Sequence, residues 1–277
     1  MADIDTLDRS PLGKRSPYQD RYDPALLFPV ARTSGRVALG IDAEPPFFGM
    51  DIWNAYEISW LTRKGKPCVA LASFIIPSST PNIIESKSFK LYLNSFNQTQ
   101  LENADQLIEL LRQDLGRTCG GPVEVSLHAA GHAQTCAYGE MDGECIDELD
   151  IEISDYQPAP ELLFAEHDTV VRETLISHLL KSNCPITDQP DWASLQVSYH
   201  GPRIQRAGLL RYIVSFRQHG GFHEHCVERI YMDLLNRCQP QELSVYARYT
   251  RRGGLDINPY RSNAPSPAPA NLRTSRQ

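Results

Sequence analysis

Residues 181–192 read KSNCPITDQPDW and put a thiol, Cys184, seven positions before a carboxylate, Asp191, with Asp188 between them. A free cysteine most often serves as a small buried hydrophobe. Three features set this one apart. It follows a run read as helical, DTVVRETLISHLLKS, instead of lying within it. Pro185 and Pro190 stiffen its loop. Two carboxylates lie within reach along the chain. The thiolate is the nucleophilic form, and a free thiol has a pKa of about 8.5. A charged carboxylate nearby raises that value. An Asp held neutral by apolar neighbours such as Trp192 serves instead as a proton donor. The pair therefore reads as nucleophile plus general acid, suited to attack on an unsaturated carbon.

Three further sets carry polar chemistry. GGFHEHC (220–226) looks like a metal-ligand cluster in His223, His225 and Cys226. Positions i and i+2 diverge on a helix, however, and the pattern is not HExxH. Phe222, His223 and Glu224 read better as the lining of a pocket at a helix start: Phe222 stacks on a planar ring and Glu224 accepts its N–H groups. The bland alternative is a first helical turn with a favourable acidic residue. IESKSFK (84–90) is either a solvated strand end or a site in which Lys87 and Ser88 meet a phosphate and Glu85 a guanidine-like edge. YTRRGG (249–254) offers Arg251 and Arg252 before two glycines, again suited to phosphates. No GxGxxG or GxxxxGK[ST] occurs, so a nucleotide would be held outside a Rossmann or P-loop frame.

The elements that must position these groups are those of a 277-residue chain, 41% hydrophobic and 22% charged, with net charge −7. That balance is a globular one, and the negative charge argues against a general nucleic-acid binder. Seven cysteines and no CxxC pair argue against a disulfide framework or a zinc ribbon. The polar N-terminus shows no signal peptide and no run approaches a membrane span; the expected compartment is the cytoplasm. NAYEISWL and KPCVALASFIIP read as strands joined by TRKGK. SFKLYLNSF is ambiguous between helix and strand. TQLENADQLIELLRQDL is an amphipathic helix with Leu101, Ala104, Leu107, Ile108, Leu111 and Leu115 on one face and a Thr99/Glu102 capping box. VEVSLHAA and LDIEISDY read as strands, DTVVRETLISHLLKS as a helix, SLQVSYHG as a strand, HCVERIYMDLLNRC as a helix, and ELSVYARYTRRGG as a final strand entering a Gly turn. KLYLNSFNQ (90–98) matches LRYIVSFRQ (210–218) at an offset of 120, pairing Tyr92 with Tyr212, Ser95 with Ser215, Phe96 with Phe216 and Gln98 with Gln218. The expected organisation is α+β, with an arm over 1–35, a first module over 36–155, a second over 156–262, and a disordered tail over 263–277.

Taken together, ESKSFKLYLNSFNQT, SNCPITDQPDW, SFRQHGGFHEHCVERI and SVYARYTRRGGLDINP resemble the NADPH-dependent 7-cyano-7-deazaguanine reductases of the queuosine pathway, in their long, two-module form. The resemblance spans about residues 45 to 262. It implies tandem tunnelling-fold modules, each an antiparallel sheet backed by helices, and a duplication in which each copy kept part of the site. It implies that Cys184 attacks the nitrile carbon of 7-cyano-7-deazaguanine to form a thioimide, that Asp191 protonates the nitrogen, and that His223 assists proton transfer. Glu85 and Glu224, with Ser86, Lys87 and Phe222 in the same stretches, fall at substrate-binding positions. Lys87, Ser88, Arg252 and Gly253 fall at positions that touch NADPH. It further implies a homodimer, a free base as substrate with no direct nucleic-acid partner, and no metal in the reaction. Two other readings stand beside it: a metal-dependent cyclohydrolase-like enzyme for purines or pterins, and a non-catalytic purine-binding module with an inert Cys184.

Overall fold

A computed structural model describes residues 18–41, 44–131, 138–264 and 268–277. The chain divides into two compact units. The first comprises Met1–Gly40, Met50–Ala137 and Arg251–Ile257, and the second Ile41–Gly49, Tyr138–Thr250 and Asn258–Gln277. The division is thus not one cut near residue 155: short segments at 41–49 and 251–257 are exchanged.

In the first unit, β1 (Phe48–Thr62, of which residues 50–62 belong here) pairs antiparallel with β2 (Pro67–Pro77), and β2 with β3 (Glu124–Ala129). Along β2 burial alternates, with Ala70, Ala72, Phe74 and Ile76 turned inward, as a pleated strand with one covered face requires. The ambiguous SFKLYLNSF is helix α1 (Ser86–Asn94), and α2 (Ala104–Cys119) follows. Leu107, Leu111 and Leu115 recur every four residues and are fully buried with Phe89, Tyr92 and Phe96, each such side chain contributing about 1.5–3 kcal/mol. The expected capping box of α2 is displaced. Asn103 is the N-cap, its side chain accepting from Gln106 N at 2.9 Å, while Gln106 Oε1 accepts from Glu102 N at 2.7 Å. The described part of the arm is anchored in the core: Arg32 Nη2 lies 2.6 Å from Asp51 Oδ2, both side chains 1% exposed, and Tyr22 donates to Asp114.

In the second unit, β4 (Ala165–Asn183), β5 (Pro190–Ile204), β6 (Glu242–Tyr249) and the latter part of β7 (Leu255–Ser262) form an antiparallel series, with Glu144–Cys145 parallel to the other edge of β4. Helices α3 (Arg206–Ser215) and α4 (His223–Cys238) complete it. Here DTVVRETLISHLLKS is strand, not helix. Its apolar residues fit a helical spacing, but Thr169, Val170, Val171, Thr174 and Ile176 are β-branched, and fourteen register pairs with β5 run from Ala165↔Ile204 to Asn183↔Pro190; cross-strand pairing overrides the local pattern. LDIEISDY forms no strand, and β7, unread in the sequence, follows the Gly turn. Residues 268–277, expected as disordered, are packed: Gln277 accepts from Arg248 Nε at 2.6 Å and donates to Asn258 Oδ1 at 2.8 Å and Tyr249 O at 3.0 Å. A polar network around a buried guanidinium, not apolar content, holds this end. No helix among the described residues is long and apolar enough to cross a membrane.

Candidate active site

In the second unit the β4–β5 hairpin sets Cys184. Ser182 stands opposite Asp191 and Asn183 opposite Pro190 in the ladder, so Cys184 opens the turn and Asp191 sits at its base. Cys184 follows a strand, not a helix. The turn is closed by Cys184 N donating to Gln189 O at 2.9 Å and Asp188 N to Cys184 O at 3.1 Å, with Asp188 at φ 52. That left-handed conformation is one of the few that Asp tolerates. The strand end is also tied to the approach of α4: Asn183 N donates to His219 O at 2.8 Å and Gly221 N to Asn183 O at 3.1 Å. The strand end before the thiol loop and the segment leading into the FHE stretch are therefore joined by two backbone hydrogen bonds.

His223 opens α4 with Phe222 as N-cap, as the sequence places it. His223 Nε2 lies 3.4 Å from Asp191 Oδ2, and the two side chains are 14% and 5% exposed. The imidazole stacks on Tyr249, ring centroids 3.8 Å apart and 19° between planes, while its Nδ1 is buried with no hydrogen-bond partner among the described residues. Cys184 is 8% exposed: shielded from bulk water but not sealed. Glu224 is buried in the same first turn, and Trp192 lies under the Arg217 guanidinium at 5.6 Å.

Sequence reasoning missed two members of this cluster. Tyr249, just ahead of the RRGG turn, is the plate on which His223 rests. Cys226 is fully buried behind it, with Ser182 Oγ and Tyr249 Oη close to the thiol but unpaired in hydrogen-bond geometry. Burial pushes the Cys226 thiol up to about 12, opposed first by Ser182 and more weakly by Tyr249, with the Asp191 charge adding to the rise. At neutral pH Cys226 stays a thiol. The alternation of strand residues in SVYARY was the available signal for Tyr249; nothing local marks Cys226 as a neighbour of Asp191.

The first unit holds the second set. Glu85 is the N-cap of α1: Oε1 accepts from Lys87 N and Oε2 from Ser88 N, each at 2.7 Å. It is fully buried, which raises its pKa, opposed by those two N–H donors and by Lys90 and Lys87. Each oxygen keeps a lone pair beyond its helix bond. Ser88 is fully buried too, its hydroxyl donating to Glu85 O at 2.6 Å and accepting from Phe28 N at 3.0 Å; the hydroxyl serves the fold. Ser86 and Lys87 are half-buried in the same turn. Gly253 and Gly254 have φ 56 and 76, and an added Cβ would come 3.2 Å from Lys90 and 2.6 Å from the Glu57 carboxyl carbon. Lys90, Glu57, Asn94 and the two glycines line one depression. Arg252 N donates to Leu255 O at 2.9 Å, closing the turn, and Arg251 lies 4.9 Å over the Tyr56 ring.

Comparison with known proteins finds matches in both halves of the chain. A family profile described as "Nitrile reductase, 7-cyano-7-deazaguanine-reductase N-term" matches residues 18–127, and one described as "QueF-like protein" matches residues 190–267. The chain is 59% identical to the NADPH-dependent 7-cyano-7-deazaguanine reductase of Bordetella avium over 98% of its own length and 99% of the relative's. It is 58% identical to the enzyme of the same name from Cupriavidus taiwanensis, with the same coverage. A solved archaeosine synthase QueF-Like structure in the apo form is 18% identical over 35% of this chain and 96% of that one, with a TM-score of 0.31, too low to bear on the fold.

Proposed function

The chain belongs to the NADPH-dependent 7-cyano-7-deazaguanine reductases, and from that membership we propose how its residues divide the reduction of a nitrile to an aminomethyl group. The two units are read as tandem tunnelling-fold modules acting as a homodimer in queuosine biosynthesis, on a free base.

Cys184, as thiolate, adds to the nitrile carbon. A C–S bond forms, one C≡N π pair moves to nitrogen, and Asp191 gives that nitrogen a proton, leaving a thioimide. A nitrile is a poor hydride acceptor, and the addition turns one hard step into easier ones. NADPH, when bound, supplies two hydrides in two successive equivalents. After the first, the C–S bond breaks, the pair returns to sulfur as thiolate, and the resulting imine is open to the second. Each stage needs a proton delivered at nitrogen. His223 is braced for that by Tyr249, with Nε2 toward Asp191 and Nδ1 unpartnered. The shielding of Cys184 and Asp191, 8% and 5% exposed, protects the thioimide from hydrolysis.

Glu224 and Glu85 are read as acceptors for the N–H groups of the deazaguanine, with Phe222, Ser86 and Lys87 beside them. Lys87, Arg252 and Gly253 are read as NADPH contacts. What supports that role is space: two consecutive left-handed glycines leave no Cβ against Lys90 and Glu57, in the depression that Lys90 also lines. Ser88 contributes through its place in the helix start, since its hydroxyl is committed.

The observation that carries the reading is the Asp191–His223 pair at the base of the hairpin that presents Cys184. Intact-mass measurement of the full chain incubated with 7-cyano-7-deazaguanine and no NADPH tests it: an adduct of one substrate mass is expected, absent in Cys184→Ala.

A further inference from the structure

One cluster in the second unit is used by none of this chemistry. Cys145, Asp147 and His178 offer ligand atoms that all lie within 4.8 Å of one another. Cys145 ends the short strand Glu144–Cys145 held beside β4, pairing with Ile176, where Ile146 N donates to Ile176 O at 3.0 Å; Asp147 stands two residues on, in the turn that Leu149 N closes by donating to Ile146 O at 3.4 Å. The β4–β5 register slips between Ser177 and Leu180, which takes His178 out of the ladder. Its backbone N–H is accepted by Asp147 Oδ2 at 2.8 Å. Its ring Nδ1 lies 2.8 Å from Ser194 Oγ; in the tautomer whose Nδ1 donates to that hydroxyl, Nε2 has a lone pair to give. Asp147 Oδ1, meanwhile, is buried with no hydrogen-bond partner among the described residues.

We propose that Cys145, Asp147 and His178 form a binding site for a zinc-like divalent cation. The donor set decides the class of ion. A thiolate and an imidazole favour zinc over the oxygen-seeking magnesium and calcium. One thiolate and one carboxylate neutralise a divalent charge, the thiol proton being released on binding. Ser194 orients the imidazole from behind, as hydrogen-bonded groups do behind metal-bound histidines. The orphaned Oδ1 acquires the partner that a buried carboxylate oxygen needs. Three protein ligands leave a fourth position to water on the exposed Cys145 side. Binding fastens the 144–147 segment to the bulge of β4. The site tightens the fold and takes no part in hydride chemistry.

The test is titration of chelator-treated full-length protein with cobalt(II) as spectroscopic probe, then with zinc(II), on wild type, Cys145→Ser, His178→Gln and Cys184→Ser. Expected is one equivalent of cobalt with a thiolate-to-metal charge-transfer band, displaced by zinc, retained in Cys184→Ser and lost in Cys145→Ser. Cys145 is exposed, so the serine variant keeps the fold and the metal-free unfolding midpoint, but loses the rise in midpoint that zinc gives wild type. His178→Gln, if folded by circular dichroism, also loses the band. The proposal is overturned if wild type takes up no metal, if Cys145→Ser binds as wild type does, or if the band disappears only in Cys184→Ser.

Discussion

The two units share a packing device and differ in what surrounds it. In the first, Tyr92 donates to Asp114 at 2.8 Å, Ser95 Oγ to Tyr92 O at 2.6 Å, and Phe96 meets Tyr92 edge-on at 5.3 Å and 84°. In the second, Tyr212 donates to Asp233 at 2.6 Å, Ser215 Oγ to Tyr212 O at 2.6 Å, and Phe216 meets Tyr212 at 5.4 Å and 83°. The hairpins and helix starts diverge instead. The β1–β2 turn is a short polar closure in which Thr62 N donates to Lys66 O at 2.9 Å and Gly65 N to Thr62 O at 2.8 Å. The β4–β5 turn is longer and carries Cys184. Glu85 and Asn103 cap the helices of the first unit with side chains, whereas Gln205 and Phe222 make no such bond in the second. Repetition survives where a core must be filled; difference accumulates where a group must be presented.

The sharpest break of this contrast is chemical. Asp191→Asn should lower turnover about 10²–10⁴-fold, the usual worth of a positioned general acid, in steady-state NADPH oxidation. Lys64→Ala, in the corresponding turn of the first unit, should leave it unchanged; an unchanged rate in Asp191→Asn removes its role as acid. Next comes His219, which at the 120-residue offset stands where the first unit has Thr99. Burial, aided by Arg229, depresses its imidazole from 6.5 to about 4. With the folded value below the unfolded one, this stabilisation is complete above pH 6.5 and is lost as pH falls toward 4, a difference of order 3 kcal/mol. His219→Thr should flatten that acid-side loss in denaturant unfolding across the window, and a slope equal to wild type would contradict it. The smallest effect is in the shared device. Tyr212→Phe removes the hydroxyl that donates to Asp233 and should cost about 1–3 kcal/mol, while Tyr92→Phe should cost only about 1, because Asp114 still accepts from Tyr22 at 2.6 Å. Equal losses in chemical denaturation would mean that the arm does not support Asp114.

Much of this was legible in the residues because it is local. The leucine period of α2 and the alternation of β2 state their structure over a few turns; the repeat around Tyr92 and Tyr212 is visible there too, though not that it is helical, and α4 begins at His223, two residues before the helix read from His225. What was not legible depends on partners distant in sequence. The β4 segment carries a helical spacing that only its pairing with β5 overrules. The chain end at Gln277 is held by Arg248, Asn258 and Tyr249, none of them nearby in sequence. Asn103 outcompeted Thr99 as N-cap because Thr99 Oγ1 is engaged by Ser95 O at 3.0 Å and Tyr22 N at 2.8 Å. At the candidate site, the Cys184–Asp191 pair was readable from type and spacing and His223 only as a pocket-lining residue at a helix start; His223's place beside Asp191, like Tyr249 and Cys226, comes through the sheet and α4.

The most direct test of the covalent route is whether the sulfur of Cys184 bonds to the nitrile. Wild-type protein held with 7-cyano-7-deazaguanine in the absence of NADPH should gain one substrate mass, map to the 181–192 peptide on digestion, and return to its original mass when NADPH is added. A folded, substrate-binding protein that shows no such gain, or that shows it undiminished in Cys184→Ala, would contradict the route.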